Sequence, residues 1–340
     1  MDFAFSEEQD LLRASARDYL RDRFPAERVV SLAESDAGWD PTTWKELADM
    51  GWLDPSLGLL EHAVIAEESA YALLPAPWFA TVAMSWPLLD DSLREAVAAG
   101  ERSVTVAHHG ELTRSGDTVT GTFTLVPDLT SVTDVIVVGA DGVYAVQADP
   151  DVVVARSTMD RTRRLGELRL DRTRARRLDI GDAQVDDARR RALALAACEA
   201  VGLAQRALDL AADYTKTRQQ FGRVIGTYQG VSHRVSNIFV SLQLARSLAY
   251  WAAWAVSESD PQRDSAVAAA KSAATEGAVF ACENAIQVHG GIGFTYEHIL
   301  HRYYKRAQWL EAFEGYGREH RAAVAAAILD TDATDPEVAA

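Results

Sequence analysis

The sequence predicts an α+β fold that is mostly α-helical, with an N-terminal helical domain, a small middle β-barrel or sandwich, and a C-terminal bundle of the four-helix type. Three observations predict this order. Apolar residues recur at helical spacing through residues 1–100. Short runs rich in Val and Thr, separated by Gly and Asp, fill residues 101–180. Long Ala- and Leu-rich segments then occupy residues 181–328, ahead of an acidic, Pro-broken tail at 329–340.

The N-terminal helices have recognisable ends. Ser6 is placed to cap the first helix, and acidic residues follow it in the first turn, where the helix dipole favours negative charge. Gly51 is expected to stop a short helix over PTTWKELADM, and Pro75 and Pro77 are expected to stop the next one.

The middle region predicts strands. Runs such as DTVTGTFTLVP and TDVIVVGADGVYAVQ combine β-branched residues with turn-forming Gly and Asp. About six such runs follow one another without a helical pattern between them, which indicates a small antiparallel barrel or sandwich.

The C-terminal region predicts three long helices. Segments that begin at Asp186, Tyr228 and Asp264 each repeat Ala, Leu or Val at positions i, i+3 and i+4. Helices with such continuous apolar faces can pack together as the core of a bundle.

Composition excludes several classes of function. The net charge of -16, from 34 basic and 50 acidic residues, disfavours nucleic acid and anionic membranes as partners. The two cysteines, Cys198 and Cys282, lie in helical surroundings and predict buried thiols in a reducing compartment. The sequence shows no apolar run long enough for a membrane span and no signal-peptide pattern at its start, so we expect a cytoplasmic protein.

A glycine cluster in QVHGGIGF follows the last long helix. Its G-G-x-G order and helical context match neither the dinucleotide fingerprint nor a P-loop. Taken alone, it predicts a helix end at which Gly290 or Gly291 adopts a left-handed conformation. No metal site is expected nearby, because His298 and His301 have no third ligand in sequence and no H-E-x-x-H order.

A second motif, TRQQFGRVIGTYQG, lies in the predicted loop between the first two long helices, and the loop is expected to include Gln229. An Arg with aromatic and amide neighbours suits a diphosphate flanked by a flat ring. Together with QVHGGIGF, this segment resembles the acyl-CoA dehydrogenase family, which carries R-x-x-F-G and Q-x-x-G-G-x-G at corresponding places. The order of the three domains also matches that family.

The resemblance implies FAD as cofactor and an acyl-CoA as substrate. It implies that Arg218 binds the FAD diphosphate, Phe221 packs on the cofactor and Gln229 contacts the adenosine half. Gln287, Gly290 and Gly291 would lie against the ADP portion of an FAD that is bound mainly to a neighbouring subunit. The family's four-chain assemblies and its usual electron acceptor, an electron-transfer flavoprotein, are then the expected partners.

The family removes the α-proton of the thioester with a carboxylate. Glu314 falls where many members carry this base, and Glu311, one turn earlier, is a weaker candidate. Other members place the base at the position of Ala192, which cannot serve. Glu199 on the same predicted helix faces solvent, pairs with an Arg or projects into the active site, in that order of expectation.

Three departures from the family pattern concern the chain's own cofactor half-site. The β region lacks the Y-x-x-T-E-P segment, and Leu125, Val126 and Pro127 stand where W-I-T is expected. Tyr316 replaces the Thr that follows Glu-Gly, and the FD-x-x-R that starts the first bundle helix is not kept. Two hypotheses follow: a dehydrogenase subunit, in a homotetramer or a heterotetramer, that uses Glu314, or a non-catalytic subunit of a heterotetramer that completes the partner's FAD site. A third hypothesis is a related flavin monooxygenase or an acyl-carrier-protein dehydrogenase with the same fold.

Overall fold

The helices of the computed structural model occur in the predicted regions. The structure describes residues 5–54 and 56–332, with side chains up to 329, so the predicted tail from residue 333 onward lies outside the described residues. Within these ranges the α-helices are α1 (Glu7–Arg23), α2 (Ala26–Glu34), α3 (Thr42–Asp49), α4 (Leu59–Tyr71), α5 (Asp91–Ala98), α6 (Asp182–Thr217), α7 (Gln229–Ser257), α8 (Arg263–His289), α9 (Leu300–Ala312) and α10 (Gly317–Asp332).

The strands lie between α5 and α6, apart from one short hairpin. They are β1 (Val104–Ala107), β2 (Gly110–Ser115), β3 (Thr118–Pro127), β4 (Asp134–Gly139), β5 (Gly142–Gln147), β6 (Val153–Ala155), β7 (Leu165–Arg174) and β8 (Arg176–Leu178), followed by β9 (Gln219–Gln220) and β10 (Arg223–Val224) between α6 and α7. A π-helix, Phe79–Ser85, precedes α5, and all of its residues are buried.

The chain divides into two compact units, each assembled from separate stretches of sequence. We call the described residues of 5–22, 59–73 and 193–332 the bundle unit, and those of 23–58 and 74–192 the sandwich unit. The three consecutive domains expected from the sequence stay a prediction. Among the described residues, no helix is both long enough and apolar enough to cross a bilayer.

The helix ends follow the predicted signals. Ser6 Oγ accepts a hydrogen bond from the Gln9 N–H at 3.2 Å, while the Gln9 side-chain oxygen accepts one from the Ser6 N–H at 3.1 Å. This reciprocal pair is a capping box, which satisfies two backbone donors that the first helical turn leaves open. Gly51, at φ +77°, follows the end of α3, in a conformation that glycine adopts at little cost.

The sandwich unit contains two four-stranded sheets, with strand orders β1-β4-β5-β8 and β2-β3-β7-β6. Their inner faces share one core, to which Phe123 and Leu168 contribute from one sheet and Val135 and Tyr144 from the other. The antiparallel prediction is wrong for one pair, because β1 runs parallel to β4. Parallel neighbours need a crossover connection, and here the chain passes through the β2–β3 hairpin of the other sheet.

The bundle unit packs its long helices through small residues. Seven of the fifteen buried positions of α8 are alanines, and this helix contacts α7, α9 and α10. Gly202 on α6 allows α4 to approach closely, since a Cβ at this position would lie 2.0 Å from the Glu67 carbonyl oxygen. That separation is far inside van der Waals contact, so any larger residue at 202 would force the two helices apart.

Candidate functional site

The loop between α6 and α7 contains a short β-hairpin whose strands, β9 and β10, are joined by a two-residue turn. Phe221 (φ +50°) and Gly222 (φ +80°) form its turn, which needs positive φ at both positions. Phe221 is a non-glycine residue in this conformation, and its side chain is 93% exposed. The backbone of Arg218 accepts a hydrogen bond from the Ile225 N–H at 2.8 Å, which closes the base of the hairpin. The sequence prediction that Arg218 and Phe221 lie in a loop between two long helices is therefore confirmed.

The glycine cluster ends α8 and starts a 3-10 turn, Gly290–Phe294. Gly290 has φ +64° and ψ −137°, so the helix ends at a positive φ as predicted, although this ψ lies outside the left-handed helical region. Gly293 is required by packing, because a Cβ there would lie 2.5 Å from the Ile286 carbonyl oxygen. Gly290 and Gly291, in contrast, face open space.

These two loops meet at one groove of the bundle unit. The groove has a volume of about 370 Å³, and Arg218, Phe221, Gly290 and Gly291 all line it. This volume is near the lower end of the roughly 300–1,000 Å³ of small-molecule sites, so it suits part of a dinucleotide. Four of the six predicted cofactor-binding residues thus lie together.

Arg218 is the charged residue of this groove. Its side chain is exposed, and it makes no hydrogen bond or ion pair with any residue that the structure describes. Guanidinium groups bind phosphate oxygens in a bidentate manner, and glycine backbones allow a ligand to approach closely. The groove therefore fits an anionic diphosphate held beside a flat ring.

An aromatic stack forms another part of the groove. The rings of Tyr214 and His289 lie 4.3 Å apart at an interplanar angle of 21°. Burial lowers the pKa of His289, although the hydrogen bond of its Nδ1 with the Ala285 carbonyl oxygen, at 2.7 Å, opposes this. A neutral His289 leaves Arg218 as the positive charge of the groove near neutral pH.

Gln229 and Gln287 do not line the groove. The expectation that Gln229 belongs to the loop is wrong, because it is the first residue of α7. Gln287 lies in the last turn of α8, and both side chains are exposed. Their predicted contacts with the adenosine half of a cofactor stay a prediction.

Glu314 lies outside the groove, in the bend between α9 and α10. It is half-buried and has φ +55°. The neighbouring Lys271 of α8 is fully buried, and its Nζ donates to the carbonyl oxygens of Glu311 at 3.2 Å and Gly315 at 3.0 Å. Sequence reasoning missed Lys271, because a lysine within an Ala-rich run gives no sign that it is buried.

Lys271→Met should change the pH dependence of stability. Burial lowers the pKa of Lys271 to about 8, although nearby carboxylates such as Glu311 and Glu314 oppose the shift. Between about pH 8 and 10.5 the unfolded chain holds this proton and the folded chain does not, so stability should rise with pH relative to the variant. At roughly 1.4 kcal/mol per pKa unit, the free energy of unfolding of the wild type should rise by about 3 kcal/mol relative to that of the variant over this pH range. Denaturant unfolding of both proteins from pH 7 to 10 measures it, and parallel curves would contradict it.

The two alternative positions on α6 are both buried. Ala192 is buried and carries no carboxylate. The expectation that Glu199 faces solvent is wrong, because this residue of α6 is only 2% exposed and its neighbours along the helix are buried apolar residues. Helical periodicity did not show this, since α6 is apolar around most of its circumference.

The sandwich unit does not offer the donors that the W-I-T segment supplies. Leu125 is exposed at φ +58° where the pairing of β3 with β7 is irregular, and Val126 is buried in the core. Pro127 has neither an N–H nor a hydroxyl, and its carbonyl oxygen accepts a hydrogen bond from Thr105 Oγ1 at 2.7 Å. This half of the expected flavin site does not fit the cofactor.

A buried ion-pair network joins α1, α4 and α7 within the bundle unit. Glu67 is 3% exposed, and its carboxylate accepts hydrogen bonds from Arg246 at 2.8 Å and from the Tyr250 hydroxyl at 2.7 Å. Arg13 Nη1 lies 3.1 Å from the same carboxylate. Sequence analysis missed this network, because Glu67 stands beside other acidic residues in what resembles a solvated helix face.

The chain matches known proteins over nearly its whole length. Residues 190–329 match the family model described as the acyl-CoA dehydrogenase C-terminal domain. Acyl-CoA dehydrogenase IpdE2 of Mycolicibacterium smegmatis is 31% identical over 327 residues, which are 92% of this chain and 96% of that protein. The protein of the same name from Mycobacterium tuberculosis is 30% identical, over 88% of this chain and 91% of its own length.

Solved structures show the same fold. A variant of the Tcur3481-Tcur3483 steroid ACAD aligns with a TM-score of 0.86 at 27% identity, covering 96% of this chain and 99% of that one. The ChsE4-ChsE5 complex from Mycobacterium tuberculosis aligns with a TM-score of 0.86 at 24% identity, covering 99% and 100%. Since relatives at 30% identity or more span almost the entire sequence, the chain belongs to the acyl-CoA dehydrogenase family.

Proposed function

We propose that this chain is a subunit of an FAD-dependent acyl-CoA dehydrogenase assembly and takes part in the α,β-dehydrogenation of an acyl-CoA thioester. Its bundle unit would complete the ADP side of a flavin site carried mainly by a neighbouring subunit. The observation that carries the proposal is the groove in which Arg218, whose side chain has no partner among the described residues, lies beside Gly290 and Gly291. A groove that holds only part of the cofactor suits a site shared between chains.

Each residue has one task in the proposed reaction. Arg218 neutralises the diphosphate, and the open surfaces of Gly290 and Gly291 admit the nucleotide against the backbone. The Glu314 carboxylate removes the α-proton of the thioester, and the two electrons of that C–H bond form the Cα–Cβ double bond. FAD, when bound, supplies the acceptor for the β-hydride, and an electron-transfer flavoprotein is the proposed next acceptor.

The names of two-protein assemblies among the structural matches support a heteromer. These are a steroid ACAD named for two proteins and the ChsE4-ChsE5 complex. The sandwich unit supports the same arrangement, because Pro127 cannot provide the donors expected on the flavin side. We therefore propose a heterotetramer with a second, complete acyl-CoA dehydrogenase subunit, and a steroid-derived acyl-CoA as the class of substrate.

Expression with and without such a partner tests the proposal. The chain alone should purify without flavin absorbance, and co-expression with a dehydrogenase that carries both missing β-domain segments should give a yellow complex that oxidises acyl-CoA. Stoichiometric flavin in the homomer would contradict the heteromeric arrangement. A complex whose acyl-CoA oxidation does not depend on Glu314 would favour the second candidate, a non-catalytic subunit, which the unfit sandwich half-site also supports.

Arg218→Ala should weaken flavin retention in that complex. Loss of a charge-assisted contact with phosphate costs about 1.5–3 kcal/mol, which corresponds to a roughly 10- to 100-fold weaker cofactor affinity. Lys216→Ala is the matched control, because Lys216 carries the same charge at the end of α6 but pairs with Asp213 at 3.0 Å and does not line the groove. Flavin fluorescence titration of the stripped complexes gives both affinities, and equal affinities would contradict the role of Arg218.

A further inference from the structure

The bend that carries Glu314 has an unfavourable backbone conformation. Glu314 has φ +55° and is followed by Gly315 at φ +101°. A non-glycine residue in this region costs of order 1 kcal/mol or more, and it persists only where surrounding contacts hold it. The contacts that hold this bend therefore decide where the Glu314 carboxylate lies.

Lys271 supplies the central contacts. Its ammonium donates to the carbonyl oxygen of Glu311, at the end of α9, and to that of Gly315, directly after Glu314. The two acceptors thus lie on either side of the carboxylate-bearing residue. His320 Nε2 lies 3.1 Å from the Glu314 carbonyl oxygen itself, and the Glu319 carboxylate accepts from the Tyr316 N–H at 2.8 Å.

Burying the charged ammonium group of Lys271 costs free energy. The side chain is 0% exposed, and burial of an ammonium is unfavourable unless its donors are satisfied. A methionine of similar length would fill the same volume without that cost. The negative charges of nearby carboxylates, among them Glu311 and Glu314, favour the protonated form of Lys271. The ammonium group therefore interacts electrostatically with the candidate base.

We propose that Lys271 is a positioning residue for the reaction, which acts by holding the Phe313–Tyr316 bend so that the Glu314 carboxylate keeps its working position. This role rests on the proposed function of Glu314 as the base. Lys271 touches neither substrate nor cofactor in this scheme; it acts through the two backbone carbonyls on either side of Glu314. The same contacts would exist in every state of the assembly that keeps α8, α9 and the bend together.

Lys271→Met in the co-expressed complex tests the inference with two readouts. Amide hydrogen exchange across residues 313–317 should become at least tenfold faster, since the bend loses both hydrogen bonds from the Lys271 ammonium. With acyl-CoA as substrate, kcat should fall about tenfold or more while KM stays within twofold, because misplacement of a catalytic group affects the chemical step rather than binding.

Thr275→Val is the matched control. Thr275 lies one turn further along α8 and is equally buried, and its hydroxyl donates only locally, to the Lys271 carbonyl oxygen at 2.7 Å. This variant should leave both readouts unchanged. Unchanged exchange in Lys271→Met, an unchanged kcat, or a KM that rises in step with a falling kcat would each overturn the inference.

Glu314→Gln in the same assay separates this inference from the proposed function. If Glu314→Gln turns over normally, the assignment of the base fails, and hydrogen exchange alone decides whether Lys271 holds the bend. If Glu314→Gln is inactive and Lys271→Met is fully active, the base assignment stands and the positioning role of Lys271 is overturned.

Discussion

Glu314→Gln in the co-expressed complex is expected to lower kcat for acyl-CoA oxidation by about 10²–10⁴-fold while the bound flavin stays stoichiometric. Gln keeps the size of the side chain but cannot accept the α-proton as a base. Flavin should remain, because Glu314 does not line the groove that contains Arg218 and the two glycines. Steady-state kinetics together with the flavin-to-protein absorbance ratio measures both quantities.

The matched control for this experiment is Glu311→Gln. Glu311 lies on α9 one turn before Glu314, and burial, together with the nearby Glu276, raises the pKa of its carboxyl. A raised pKa is also a property of a catalytic base, so this residue is the fair competitor. A large loss in Glu311→Gln with normal turnover in Glu314→Gln would move the assignment to Glu311.

Glu67→Ala is expected to destabilise the folded chain by about 3–5 kcal/mol. The substitution removes the carboxylate that the partly buried Arg246 contacts and the acceptor of the Tyr250 hydroxyl. Arg13 loses the same carboxylate but keeps its ion pair with Glu68 at 3.0 Å. Removing one partner of a buried pair costs more than the pair contributes, because the remaining charge stays desolvated. Denaturant unfolding of the wild-type and variant chains gives the difference directly.

Asp213→Ala provides the comparison for Glu67→Ala. Its ion pair with Lys216 is exposed on the same bundle unit, and pairs of that kind contribute about 0–1 kcal/mol. A Glu67→Ala effect as small as that of Asp213→Ala would show that the network does not stabilise the fold.

The Glu67 effect should depend on pH in a defined direction. Burial by itself raises the pKa of Glu67, but Arg246 and Arg13 outweigh it, and the pKa lies below the usual value. The Glu67 carboxylate therefore contributes to the free energy of unfolding above the unfolded-state pKa of about 4.3, and this contribution is lost as the pH falls below that value. The stability difference between wild type and Glu67→Ala should shrink on acidification, and a constant difference down to pH 3 would contradict the network's charged state.

Local features of the structure were predictable from short stretches of sequence. The capping box at Ser6, the stop near Gly51 and the end of α8 at Gly290 each depend on a few adjacent residues. The positions of the loop residues Arg218 and Phe221 followed in the same way. Such features depend on backbone conformations that only some residue types adopt at low cost.

Long-range features were not predictable in this way. The parallel pairing of β1 with β4 required the chain to cross between two sheets, and no single strand pattern encodes that choice. Burial of Glu199 and Lys271 was also hidden, because periodicity on a helix that is apolar around most of its circumference does not show which neighbour covers a charged side chain.

The sequence by itself determined the family, the order of helices and strands, and which residue types stand at the expected cofactor and base positions. Only the tertiary structure decided that Arg218 meets Gly290 and Gly291 in one groove, where its side chain has no partner among the described residues, and that Lys271 lies buried beside Glu314. The reason is physical: helix and turn formation depend on neighbouring residues, whereas grooves, buried charges and their partners depend on the packing of segments that are distant in sequence.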